Sequence, residues 1–265
     1  MIRLTADLYP SVAALYDESG LCFPLIRAVI DRLQRGWIWA DDPTRPEAAL
    51  VVTAFGFTCL VGAEGRTPDE SLRQMLVTPS DQLPGYLLWY APPPGWRAWL
   101  DARPEGTFRS RERVRLHWDG ADPSPSETGA EGLRLASLDA ALIPEVDKLG
   151  LRLGSRFWSS AEDFLDHGFG ACLVGDDGAV VSVCYASCVA DNLAEIDIAT
   201  RDDRRGRGYA AIVAREFVRE CRRRRILPTW DCFTANQASL RLALSLGFVE
   251  AYRYPLYSFS TPLPS

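Results

Sequence analysis

Apolar and polar residues recur along this chain in two periods, near two and near 3.6, and each change of period marks an element boundary. The second half is the more legible. Residues 133–136 predict a short strand and 137–149 a helix. A second helix is predicted over 155–166, where Phe157, Trp158, Ala161, Phe164 and Leu165 fall at near-helical spacing. Strands over 169–174 and 179–189 flank Gly175-Asp176-Asp177-Gly178, a hairpin signal. Over 193–200 the alternation puts Ile196 and Ile198 on one face and Glu195 and Asp197 on the other. A glycine-bearing loop then opens a helix to about Arg224, with Ile212, Val213, Phe217, Val218 and Cys221 as its apolar stripe. A strand over 229–233, a helix capped by Asn236 and closed at Gly247, and a Tyr- and Phe-rich strand over 249–259 complete the half.

The first half gives the same order more faintly. Helices are predicted over 10–19 and 24–35, strands over 37–40, 49–54 and 57–61, and a helix over 69–76. A strand over 86–90, a short helix over 95–100 and a strand over 109–118 follow. Apart from a missing opening strand, this is the order of the second half, so an internal structural repeat is expected. The seam between the copies is 119–132, dense in Pro, Gly, Ser and acid. The expected organisation is an N-terminal α/β domain over 1–118, a linker over 119–132 and a second domain over 133–265, each α+β with a mixed sheet flanked by helices.

Composition narrows the chemistry. The 265 residues carry a formal charge of −6, which argues against a duplex nucleic-acid binder. No apolar run approaches a spanning helix of ~20 residues, and the N-terminus lacks a secretory layout. Seven cysteines without a Cys-x-x-Cys pair point to free thiols in a cytoplasmic setting rather than to disulfides or zinc. With His117 and His167 as the two histidines, no metal site is expected.

The chemistry-bearing segment is Arg205-Gly206-Arg207-Gly208-Tyr209-Ala210, between a strand and an amphipathic helix. Unpaired N–H groups at a helix start, the positive end of its dipole and glycines that permit close approach all favour an anion. Taken alone, the segment is weak evidence, and a tight turn with a solvated basic face accounts for it better. It is neither a dinucleotide fingerprint nor a Walker loop. In the first half the corresponding segment, 62–68, has glycines but also Glu64 and Pro68, so that copy is expected to have lost phosphate binding.

The run from Leu193 to Phe248 resembles the core of the GNAT N-acetyltransferase superfamily. Arg205-x-x-Gly208-x-Ala210 matches its Arg/Gln-x-x-Gly-x-Gly/Ala signature, and Asn236-x-x-Ser239-x-x-Leu242-x-x-x-Leu246-Gly247-Phe248 matches the motif on its next helix. The resemblance covers roughly 133–260, and Trp230-Asp231-Cys232 suggests a subgroup with an added N-terminal region. It implies acetyl-CoA or another acyl-CoA as cosubstrate. Its pyrophosphate would lie on Arg205, Gly206, Arg207, Gly208, Tyr209 and Ala210, and its pantetheine arm along Ala199, Thr200 and Arg201 and near Asn236 and Ser239. It also implies direct attack on the thioester by the amine of a small molecule or peptide, in a monomer or homodimer without nucleic-acid or membrane partners.

Where many members of the family carry an acidic tyrosine, seven residues after the Asn, this chain has Ala243. The alternative reading is therefore a non-catalytic CoA-binding or ligand-sensing module. Glu195 is the candidate base, with Asp197 behind it; a solvated face or ion pairs with nearby arginines account for both equally well. The Arg222–225 run suits a helix C-terminus, the tryptophans at 37, 39, 89, 96 and 99 suit a core or an interface, and Pro92-Pro93-Pro94 suits a rigid turn.

Overall fold

The computed structural model describes residues 1–62, 69–78, 82–120 and 132–263. Two compact units result, Met1–Arg113 with Arg253–Ser265, and Val114–Tyr252. Both are α+β, a mixed sheet flanked by helices.

The first unit runs β1 (Ile2–Arg3), a 3-10 turn (Ala6–Val12), α1 (Ala13–Glu18), α2 (Pro24–Ile30), β2 (Gly36–Ala40), β3 (Ala49–Thr53) and β4 (Phe57–Val61). It continues through α3 (Glu70–Val77), β5 (Tyr86–Tyr90), α4 (Pro94–Asp101) and into β6 (Arg109–Trp118). The second unit runs β7 (Leu133–Ser137), α5 (Ile143–Asp147), α6 (Leu153–Arg156), α7 (Ala161–His167), β8 (Gly170–Gly175), β9 (Val180–Ala190) and β10 (Leu193–Thr200). It continues through α8 (Tyr209–Arg224), β11 (Leu227–Phe233), α9 (Gln237–Ser245) and into β12 (Phe248–Ser260).

The element order is thus the same in both units, and β1 supplies the opening strand that two residues could not announce by periodicity. In the first unit the order β1-β2-β3-β4-β5 is extended by β12 and then β6; in the second, β7-β8-β9-β10-β11 is extended by β6 and then β12. Unit boundaries fall at 113/114 and 252/253, inside β6 and β12. They differ from the expected boundaries at 118 and 133. Of the expected linker, 121–131 lies outside the described residues, as does 63–68 of the first-half glycine segment.

Two predicted helices are shorter than their patterns suggested. The helix expected over 137–149 is confined to Ile143–Asp147, and the one expected over 155–166 is two, α6 and α7. The second break has a local cause. Ser160 caps α7, its hydroxyl accepting from the Asp163 N–H at 3.0 Å, while Asp163 accepts from the Ser159 N–H. That reciprocal cap starts a new helix inside the apolar period.

One core of the second unit lies on the face of its sheet that carries α8 and α9. Val114, Leu116, Cys184, Ala186, Trp230 and Cys232 pack there against Val213, Phe217 and Cys221 of α8 and Ala243 of α9. Burying apolar area of this extent at roughly 25 cal/mol per Å² is what holds α8 against the sheet. The first unit has its own core, in which Trp39, Trp89 and Trp96 are buried with Leu72 and Leu76 of α3. The seven cysteines are free thiols, all buried except the half-buried Cys22.

Candidate functional site

The site grows out of the end of β10. This strand pairs antiparallel with β9 along its whole length, from Leu193↔Ala190 to Thr200↔Ser182. On its other side the parallel register with β11 covers Leu193↔Leu227, Ala194↔Pro228 and Glu195↔Thr229, and stops. β10 nevertheless continues to Thr200. Although interior in strand order, it is half-buried at every position from Ile196 to Thr200, whereas the facing residues 180–188 of β9 are buried. Past its last rung with β11 this interior strand is half-exposed at every position and carries an unpaired edge.

Where the pairing ends, the ladder is also irregular. Glu195 faces Cys188 but Ile196 faces Ala186, so Ser187 is the extra residue of a β-bulge. The Ser187 hydroxyl donates to the Glu195 carbonyl at 3.1 Å, satisfying the acceptor that the bulge displaces.

Glu195 itself is turned into a buried polar row. Its carboxylate pairs with the Arg115 guanidinium, whose other amino group lies 3.2 Å from Asp231. The Thr229 hydroxyl lies 2.9 Å from Glu195 Oε2, with the Ala194 carbonyl at 3.2 Å as its alternative acceptor. Glu195 is 5 % exposed. Burial pushes its pKa up; the Arg115 charge opposes that and the Asp231 charge adds to it.

Asp197, two residues on and on the same face, has a different setting. It is half-buried, and Tyr185, its register partner on β9, donates to its Oδ2 at 2.7 Å. Burial raises the Tyr185 hydroxyl's pKa far above the ordinary phenol, and the Asp197 charge raises it further.

Beyond Thr200 the chain passes through a 3-10 turn, Asp202–Arg204, to the glycine loop. Gly206 and Gly208 both take positive φ, 76° and 78°, conformations a side chain would strain. α8 starts at Tyr209 with no side-chain cap. Among the described residues nothing accepts from the N–H groups of Gly206, Arg207, Gly208, Tyr209 and Ala210, so five consecutive donors stand open at the start of a 16-residue helix. That is an anion-binding nest with the helix dipole behind it. Arg205 and Arg207 are exposed beside it, Arg205 lying 2.7 Å from Asp202. The Arg201 side chain holds Asp203 in a two-pronged pair.

The corresponding helix of the first unit is closed. α3 is capped by Asp69, whose carboxylate accepts from the Leu72 N–H at 2.9 Å. A carboxylate there occupies donors that an anion would need and repels the anion itself.

Asn236 caps α9, its Oδ1 accepting from the Ser239 N–H at 3.2 Å. It is exposed, which leaves its amide N–H₂ available. The Ser239 hydroxyl accepts from the buried Trp230 indole N–H at 3.0 Å. Ala243 is buried in the core. The strand end 196–200, the loop 205–210 and α9 all lie in the second unit. Arg115, Tyr185 and Thr229 belong to the same setting and were not singled out by sequence. Arg115 follows Arg109, Arg111 and Arg113 at alternate positions of one strand, and nothing in that series marks it as the buried one.

A family model described as GNAT acetyltransferase matches residues 21–257. The chain belongs to that family. It is 26% identical over 256 residues to the uncharacterized N-acetyltransferase YdfB of Bacillus subtilis strain 168, covering 96% of this chain and 97% of that protein. A GCN5-related N-acetyltransferase-like protein from Streptococcus suis shares the fold, with TM-score 0.73, 24% identity, and coverage of 95% of this chain and 98% of that one. A tandem GNAT protein from the clavulanic acid biosynthesis pathway also shares it, with TM-score 0.65, 16% identity, and coverage of 98% and 96%. Among the described residues no helix is long and apolar enough to cross a membrane. No group of three or more His, Cys, Asp or Glu among them is placed to hold a metal ion.

Proposed function

We propose that the protein is an acyl-CoA-dependent N-acyltransferase, moving an acyl group, acetyl in the first instance, onto the amine of a small molecule or peptide. The observation that carries this reading is the run of open N–H groups from Gly206 to Ala210 directly after a strand end with an unpaired edge. The nest and the Arg205 and Arg207 charges take the pyrophosphate. The free edge of β10 at Ala199 and Thr200 offers backbone groups to the amides of the pantetheine arm, and the Asn236 amide lies at the start of the next helix. The protein's contribution to the reaction is orientation, a backbone donor for the developing oxyanion and a proton acceptor. With Ala243 apolar and buried, the leaving thiolate takes its proton from solvent. Seven free thiols suit a reducing, cytoplasmic setting.

Calorimetry with acetyl-CoA tests the reading. Saturable binding is expected in the wild type and not in an Arg205→Ala, Gly208→Glu double variant, which puts a carboxylate into the nest. A wild type that shows no saturable binding overturns it. The buried Ala243 favours a second reading, a CoA-binding module without transfer. Binding without thiol release over a broad amine panel would select it.

A further inference from the structure

We infer that Asp197 is the group that receives the protonated amine of the acceptor and takes its proton, and that Tyr185 is the residue that positions it. The inference rests on the acyltransferase reading above and adds to it the charge class of the acceptor, a cationic primary amine.

Two carboxylates share this face of β10, and the structure separates their uses. Glu195 is enclosed, buried and bonded to Arg115 and Thr229. Asp197 lies past the last paired position, on the half-buried stretch that borders the open edge. Among the described residues no Arg, Lys or His forms an ion pair with it. A half-buried carboxylate without a counter-charge is costly unless something else completes it. Its protein contacts are the Tyr185 hydroxyl on Oδ2 and the Ile198 N–H on Oδ1, at 2.7 and 3.1 Å. A carboxylate has about four acceptor sites, so roughly two remain for an ammonium.

Tyr185 is built to hold that carboxylate still. It is fully buried, opposite Asp197 in the ladder, with the Phe164 ring edge-on against it at 6.1 Å. With the phenol locked by packing, the carboxylate is fixed in direction before the substrate arrives. Arg156 of α6 and Asp147 of α5 act on Tyr185 with opposite signs.

The step balances as follows. The ammonium gives one proton to the Asp197 carboxylate, and the freed amine forms a C–N bond to the thioester carbonyl carbon. Collapse of the tetrahedral adduct breaks the C–S bond, and the sulfur leaves with the electron pair and takes a proton from water. The amide nitrogen sheds its excess proton to solvent, and Asp197 then releases the one it took.

The test is Asp197→Asn in the full chain, with acetyl-CoA affinity by calorimetry and thiol release over a panel of cationic primary amines. Asparagine keeps the shape and still accepts from Tyr185, and a melting curve checks that the variant folds. The expected result is unchanged acetyl-CoA affinity with amine-dependent thiol release lowered about 100-fold, the scale of a lost general base. Tyr185→Phe, which keeps the ring packing, should raise the amine KM several-fold and leave acetyl-CoA affinity alone. Retention of turnover within threefold by Asp197→Asn overturns the inference, as does loss of acetyl-CoA affinity in that variant, which would put Asp197 on the cofactor side. An unchanged amine KM in Tyr185→Phe removes the positioning role. A wild type that binds acetyl-CoA but transfers to no amine overturns the inference while leaving the cofactor site standing; one that does not bind it brings down the acyltransferase reading itself.

Discussion

Glu195 and Thr229 are the last paired rung between β10 and β11, and their side chains meet as well, the Thr229 hydroxyl lying 2.9 Å from Glu195 Oε2. Beyond this rung β10 has no register partner on that side. The link therefore sits at the point where two parallel strands part, and Arg115 and Asp231 tie it into a buried network. A polar clasp at such a point marks where the pairing of β10 with β11 ends.

Thr229→Val keeps the volume and removes the hydroxyl. It should lower stability by about 1 kcal/mol, the loss of one buried hydrogen bond at an oxygen that keeps its Arg115 partner. Urea unfolding gives the number, and an unchanged midpoint would show that the clasp contributes nothing.

Glu195→Gln tests the charge. Because burial raises the Glu195 pKa in the folded protein, the stability linked to its proton is present below the ordinary carboxylate range and is lost as pH rises through the folded value. Glutamine does not titrate. The wild type's melting temperature relative to Glu195→Gln should therefore become less favourable as pH is raised from 4 to 8. The opposite slope would mean that the Arg115 pairing outweighs burial and holds the pKa down.

Asn236 has two separable duties. Its Oδ1 caps α9, so Asn236→Ala should cost about 1 kcal/mol, while Asn236→Asp retains an acceptor and should cost little. In the proposed site the side-chain amide also faces the cofactor. Both variants should then weaken acetyl-CoA binding, the aspartate more strongly because it adds a negative charge. Calorimetry beside thermal melts separates the two effects.

One acetyl-CoA should bind per chain, in the second unit. The nest before α8 is open, whereas the start of α3 is filled by the Asp69 carboxylate. The calorimetric stoichiometry reports this directly, and a value of two would show that the cap on α3 yields to a ligand.

Sequence alone determined most of the element order, β1 and the division between α6 and α7 apart, because periodicity and turn chemistry are local. The strand 193–200, the hairpin at Gly175–Gly178 and the caps at Asn236 and Gly247 could all be read without knowing what lay across from them. The glycine loop was legible for the same reason, since a nest is made by consecutive residues. Tertiary structure decided the rest. It set the unit boundaries, which fall inside β6 and β12. It cut the helix over 155–166 in two at a serine cap. It also separated Glu195 from Asp197, which occupy equivalent positions in the alternation. One faces a buried arginine from a strand 80 residues earlier, the other a tyrosine from the adjacent strand. Periodicity tells which face a side chain takes, but the partner on that face comes from strands distant in sequence, and the partner decides whether a carboxylate is structural or available.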